Sequence, residues 1–160
     1  MKNFYDKNLW LSPNKFYANE LQNLFAGENG EMPCFLQFFY QANFFSKLSS
    51  NTSEIFQRIA TEDLAHSQKL AECIVCVGGN PEYKNSQGQH INFKQKITTQ
   101  NINEIITQSI LMKEKNVINL KSANLKISNI YIKHLLNEII QEEEYHLNYL
   151  RNILNLKNPR

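Results

Sequence analysis

The sequence predicts an all-α protein, an antiparallel four-helix bundle with a long crossover between its second and third helices. Three observations predict it. Four segments repeat inward-facing residues at steps of three and four, the spacing of one helix face. No segment alternates with period two over a useful length, so no sheet is expected. Only 4 Pro and 5 Gly occur in 160 residues, which leaves room for long uninterrupted elements.

The first helix is expected over about residues 17–49, with Leu21, Leu24, Glu28, Glu31, Phe35, Phe38, Ala42 and Phe45 on one stripe. Pro33 lies just after Glu31 and marks either a kink or a helix start. Ser50-Asn51-Thr52-Ser53 interrupts the pattern and offers N-caps for a second helix over about 52–78. Its stripe is Phe56, Ile59, Asp63, His66, Leu70, Cys73 and Val77. Gly78-Gly79-Asn80-Pro81 stops it, because glycine suits a helix end and proline cannot continue one. A polar connection runs from Glu82 to about Gln100. Asn101 or Asn103 can open the third helix, over about 101–123, with Ile106, Ile110, Glu114, Val117 and Leu120 inward. A short turn near Ala123-Asn124 makes the fourth helix, about 127–156, its antiparallel neighbour. Ile132, Leu136, Ile139, Glu143, His146, Leu150 and Ile153 form the last stripe.

Length and composition bound the function. The chain fits one domain, residues 1–160, and its 42% hydrophobic and 20% charged content is that of an ordinary folded protein. No stretch of about 18 apolar residues exists to span a membrane, and Met1 to Leu11 lacks the pattern of a signal peptide. A net charge of +2 gives no reason to expect nucleic acid. The 3 cysteines include Cys73-Ile74-Val75-Cys76, a C-x-x-C near the end of a helix rather than at its start. That is the wrong end for dipole-stabilised thiolate, and one pair cannot close a zinc site. Half-buried free thiols in a reducing cytoplasm are expected.

The stripes carry acids and histidines where apolar residues belong. Asp63 and His66 hold core positions on the second helix, Glu143 and His146 on the fourth, Glu31 or Glu28 on the first, and Glu114 on the third. Isolated buried carboxylates cost several kcal/mol each, so something positive must bind them. Side chains at i and i+3 share a helix face, and a carboxylate and an imidazole so placed can grip one metal ion. Two such pairs and a carboxylate from each remaining helix form the ligand set of a two-metal carboxylate centre. Oxygen donors with two imidazoles suit iron or manganese. The expected metal ligands are therefore Glu31 or its rival Glu28, with Asp63, His66, Glu114, Glu143 and His146. His90 and His134 fall outside this set. Lys94, Lys96, Lys113, Lys115, Lys121 and Lys126 read as solvated charge.

Over about residues 17–156 the chain resembles the ferritin-like superfamily, near its bacterioferritin, rubrerythrin and manganese-catalase branches. Glu142-Glu143-Glu144-Tyr145-His146-Leu147 resembles the late E-x-x-H helix. Thr61-Glu62-Asp63-Leu64-Ala65-His66 resembles the earlier one, especially that of manganese catalases. Glu31 through Phe38 resembles the first-helix segment, with Phe25-Ala26-Gly27-Glu28 a rival register, and Glu114-Lys115-Asn116-Val117 resembles the third. There are departures. Asp63 is one methylene shorter than the family's bridging Glu, and Glu62 beside it points elsewhere on the helix. Phe38 replaces a Tyr, and Val117 stands where peroxide-reducing rubrerythrins carry an extra Glu. Leu64 replaces the haem-binding Met, so no haem is expected.

The resemblance implies two iron or manganese ions doing redox chemistry on oxygen or peroxide, as a ferroxidase, peroxidase or catalase, with a separate electron donor. The competing reading is a non-catalytic metal-binding or structural bundle with a degenerate site. The chain stops soon after its fourth helix, so a homodimer is expected rather than a storage cage. Phe35, Phe38, Phe39, Tyr40, Phe44 and Phe45 wrap too much of the first helix for one core, and part of that set suits a subunit interface.

Overall fold

A computed structural model describes residues 12–91 and 101–157. It contains five helices: α1 (Lys15–Ala26), α2 (Glu31–Phe45), α3 (Ser50–Cys76), α4 (Ile102–Lys126) and α5 (Ile130–Lys157). No strand occurs among the described residues, only an isolated bridge between Lys84 and His90. No helix there is long and apolar enough to cross a membrane.

The expected first helix of residues 17–49 is two helices, α1 and α2, which follow one another along α3. The reason is local. Gly27 and Gly30 flank the break, and Asn29 between them takes a left-handed φ of 57° that stops a helix. Pro33 is the third residue of α2, where its missing N–H would have had no helical partner. The other boundaries follow the capping chemistry. Asn14 accepts from the Tyr17 N–H, and Ser49 from that of Thr52. Asn101 accepts from the Asn103 and Glu104 amides, and Asn129 from those of Tyr131 and Ile132. Gly78, at a φ of 79°, ends α3 in a conformation that favours glycine. The last turn comes three residues later than expected, at Ile127 to Asn129, because Ala123 and Ile127 stay in the core.

Two apolar clusters fill the bundle. One joins α1 to the C-terminal halves of α3 and α4 and the first half of α5, through Leu21, Phe25, Leu70, Ile74, Leu120 and Leu136. The other joins α2 to the N-terminal halves of α3 and α4 and the second half of α5, through Phe38, Phe45, Phe56, Ile59, Ile106 and Leu150. These memberships fix the directions. The long crossover returns the chain to the end where α3 began, so α3 and α4 run parallel while α3 opposes α1–α2 and α5 opposes α4. The first half of the crossover packs on α1: the Gln22 amide donates to the carbonyls of Glu82 and Lys84, at 2.6 and 2.5 Å. Between the two clusters lies a buried polar layer.

Candidate metal centre

Glu31 enters that layer as the first residue of α2, fully buried. The helix break aims it there. A Cβ on Gly30 would come within 2.7 Å of the Leu24 carbonyl oxygen, so only glycine allows the chain to turn so tightly against the end of α1. Asn116 on α4 locks the turn, its amide donating at 3.0 Å to both the Asn29 carbonyl and Glu31 Oε1. Glu28, the rival in the sequence pattern, is exposed.

α3 and α5 each bring one acid and one histidine from the same face. Asp63, His66 and Glu143 are fully buried and His146 is nearly so. His66 Nδ1 lies 3.3 Å from Glu31 Oε2 and 3.2 Å from Glu143 Oε1. His146 Nδ1 lies 3.4 Å from Glu143 Oε1 and 3.8 Å from Asp63 Oδ1. Both imidazoles thus aim Nδ1 at the cluster. Their Nε2 atoms face outward to carboxylates on the opposite helix: His66 to Glu142, at 2.6 Å, and His146 to Glu62. Glu62, expected to point elsewhere, therefore reaches across to α5. Glu62 and Glu142 were missed as site residues. Their signal was a repeat, an acid doublet opening both motifs: Glu62-Asp63-x-x-His66 and Glu142-Glu143-x-x-His146.

α4 departs from expectation. Glu114 does not join the cluster. It lies on the outside of the bundle, its side chain 36% exposed and paired with Arg151 at 2.6 Å. Lys113, expected in solvent, is fully buried in the layer instead. Its Nζ lies 2.6 Å from Asp63 Oδ1 and 2.5 Å from Glu143 Oε2, with the Phe38 ring centroid 5.2 Å away. Between Ile110 and Val117 the helical period admits either 113 or 114, so stripe counting does not choose. Phe38, standing where a Tyr was expected, supplies a ring face to this ammonium. His90 is exposed, and His134 pairs with Glu138 on the surface.

The electrostatics are those of a tight ionic layer. Burial disfavours the charged Lys113, but Asp63 and Glu143 outweigh it and hold its pKa well above the usual lysine range. Burial would raise Glu143, yet Lys113 and the imidazoles hold it well below the carboxylate range. Asp63 goes the other way, burial pushing it well above. Burial alone would lower His66. Close contact with Glu143 and Glu31 reverses that and pushes it up to about 11.

Asp63 Oδ2, Glu143 Oε1 and His146 Nδ1 are buried without a hydrogen-bond partner. Buried polar atoms of this kind need a ligand, and these three converge on the same layer. One oxygen or nitrogen from each of Glu31, Asp63, His66 and Glu143 lies within 4.8 Å of the others, a spacing that fits one cation. The donor chemistry, three carboxylates and an imidazole whose other nitrogen is fixed by a carboxylate, suits iron or manganese.

Known proteins agree with this architecture. Residues 20–154 match the family model described as Rubrerythrin. Two crystal structures of KatB, a manganese catalase from Anabaena, superpose on the chain. The wild-type structure has a TM-score of 0.84 at 17% identity, covering 94% of this chain and 78% of that one. The other, from Anabaena PCC7120, has a TM-score of 0.83 at 17% identity with the same coverage. At that identity the likeness concerns the fold. No curated protein matches the sequence.

Proposed function

The chain belongs to the rubrerythrin family, and on that premise we propose that it is an iron- or manganese-dependent redox protein acting on peroxide or oxygen. One observation carries the reading. Glu31 and both D/E-x-x-H pairs meet in a single buried layer, with carboxylate and imidazole atoms that no protein group satisfies. Such a metal supplies the electrons exchanged with the oxygen substrate. The chain's own residues do the rest. Glu31, Asp63, Glu143 and His66 Nδ1 are the ligands proposed here, His146 Nδ1 faces the same acids from beside them, and Glu114 is not among them. Glu142 and Glu62 hold the imidazoles in the tautomer that leaves Nδ1 free to coordinate. The apolar clusters on either side exclude water. A separate electron donor, a homodimer and a cytoplasmic setting belong to the same reading, the last resting on three free cysteines, two of them buried.

A second reading has its own observation. Lys113 already neutralises part of the acid cluster, as it would in a bundle whose site no longer turns over. Protein purified without chelators separates the two. The redox reading expects bound iron or manganese and metal-dependent consumption of hydrogen peroxide. Oxygen release without added reductant marks a catalase, and a need for reductant marks a peroxidase. Chelation should abolish the activity and His66→Ala should prevent its return. Bound metal without turnover on peroxide or oxygen would leave the non-catalytic bundle standing.

A further inference from the structure

We propose that this centre holds one divalent metal ion, with the Lys113 ammonium standing as a built-in cation where a second metal would otherwise lie. The inference rests on the metal-binding reading above and deepens it.

Position is the first argument. The ammonium bridges Asp63 Oδ1 and Glu143 Oε2, the acids of the two D/E-x-x-H pairs. These are the carboxylates that would have to be shared between two metals. Lys113 therefore sits between the shared acids. The remaining oxygen of each acid is the one without a hydrogen-bond partner, Asp63 Oδ2 and Glu143 Oε1. Each acid gives one oxygen to lysine and keeps one for a metal.

Donor count is the second. The four groups that close on a common point are Glu31, Asp63, His66 and Glu143. A second ion beside His146 would find that imidazole and the two shared acids, but no carboxylate from α4. Glu114 is outside with Arg151, and Asn116, a buried residue of α4, donates its amide to Glu31 and the Asn29 carbonyl, leaving only an uncharged Oδ1 unpaired.

Charge is the third. As metal ligands the three buried carboxylates are deprotonated and carry three negative charges. One divalent ion and one ammonium cancel them when the imidazoles are neutral ligands. Two divalent ions together with the ammonium would leave two positive charges in a layer closed by apolar clusters, at a cost of several kcal/mol per ion. Lys113 has no easy exit. It is fully buried, and Phe38 covers it.

The test is metal stoichiometry. Chelator-stripped protein is titrated with manganous ion, freed of excess by gel filtration and analysed for metal per chain and by electron paramagnetic resonance. Wild type should retain one ion with the hyperfine pattern of isolated manganese. Lys113→Glu, which adds a fourth carboxylate and removes the ammonium, should retain two and show exchange coupling. The histidines provide a test that leaves Lys113 in place. His66→Ala should weaken binding beyond the roughly 10–100-fold loss typical of an outer partner, whereas His146→Ala should keep its ion. Two ions per wild-type chain, an exchange-coupled wild-type spectrum, or equal loss in both histidine variants overturns the one-metal centre and leaves the redox reading intact. A wild-type chain that retains no ion overturns the metal-binding reading itself.

Discussion

At the scale of single residues, the two histidines are distinguished by their partners rather than by themselves. Glu142 orients His66 and Glu62 orients His146, both from half-exposed positions. Losing an outer carboxylate typically weakens a metal site about 10–100-fold. Glu142→Gln should therefore weaken metal binding by that factor, read by competition with a chelator. Glu62→Gln should change it little, since His146 lies outside the four-donor cluster. His66 also sets a pH dependence. Its pKa in the folded, metal-free chain stands at about 11, above the ordinary 6.5. Its stabilisation is thus fully present below about pH 6.5 and is lost as pH rises towards 11. The melting temperature of chelator-stripped protein should fall over that range, and His66→Ala should flatten the fall. The thiols have a simpler logic. Burial pushes Cys73 up to about 12 and Cys34 well above the thiol range, while Cys76 is raised and partly exposed. Thiolate is the reactive form. Iodoacetamide at pH 8 should alkylate Cys76 slowly and leave Cys34 and Cys73 until the chain unfolds. Rapid labelling of Cys73 would mean that α3 opens at its C-terminal end.

Among the elements, the break between α1 and α2 matters most to the site. A continuous helix would carry Glu31 on a fixed stripe. The break makes it the opening residue of a new helix, held by Asn116 from α4. Asn116→Ala removes two hydrogen bonds and leaves a partly buried carbonyl and a buried carboxylate oxygen short of a donor, a loss of about 1–3 kcal/mol. Gly30→Ala forces a Cβ against the Leu24 carbonyl and should cost at least about 1 kcal/mol. Both should lower the urea midpoint with an unchanged slope, and both should loosen metal binding because each frees Glu31. α4 shows the opposite economy. One turn of it brings Lys113 and Asn116 inward and turns Glu114 outward, so a single helix supplies the site's buried cation and its brace.

For the whole molecule, the arrangement is a polar layer between two apolar clusters, crossed by all four columns of the bundle. A metal bound there joins α2, α3 and α5, which the sequence separates widely. Binding to the folded chain alone stabilises it by about 2.7 kcal/mol at a free metal concentration of 100 Kd. For a chain of this size that is a rise in melting temperature of roughly 5–11 °C. Differential scanning calorimetry with and without manganous or ferrous ion checks it, and chelator should reverse the shift. A melt indifferent to metal would mean that the layer is already satisfied by Lys113.

Much was written in the sequence. Helical period placed Glu31, Asp63, His66, Glu143 and His146 inward, because a stripe of three- and four-residue steps decides which face a side chain takes. Capping residues placed the starts of α3 and α4 within two residues of where they lie, because the groups that satisfy a free amide sit beside it in the chain. What period leaves open is a choice between neighbours about 100° apart. Ile110 and Val117 bracket Lys113 and Glu114 equally well, and only packing of α4 against α5, α1 and α2 put the ammonium inside. The run Leu24, Glu28, Glu31 and Phe35 steps through the helix break as if it were absent, so the stripe hid a turn that Asn29 and Gly30 make. Contacts such as Glu62 with His146 join residues more than eighty positions apart. Local sequence carries the face a residue takes, but which side chain meets it from another helix is decided only when the helices pack.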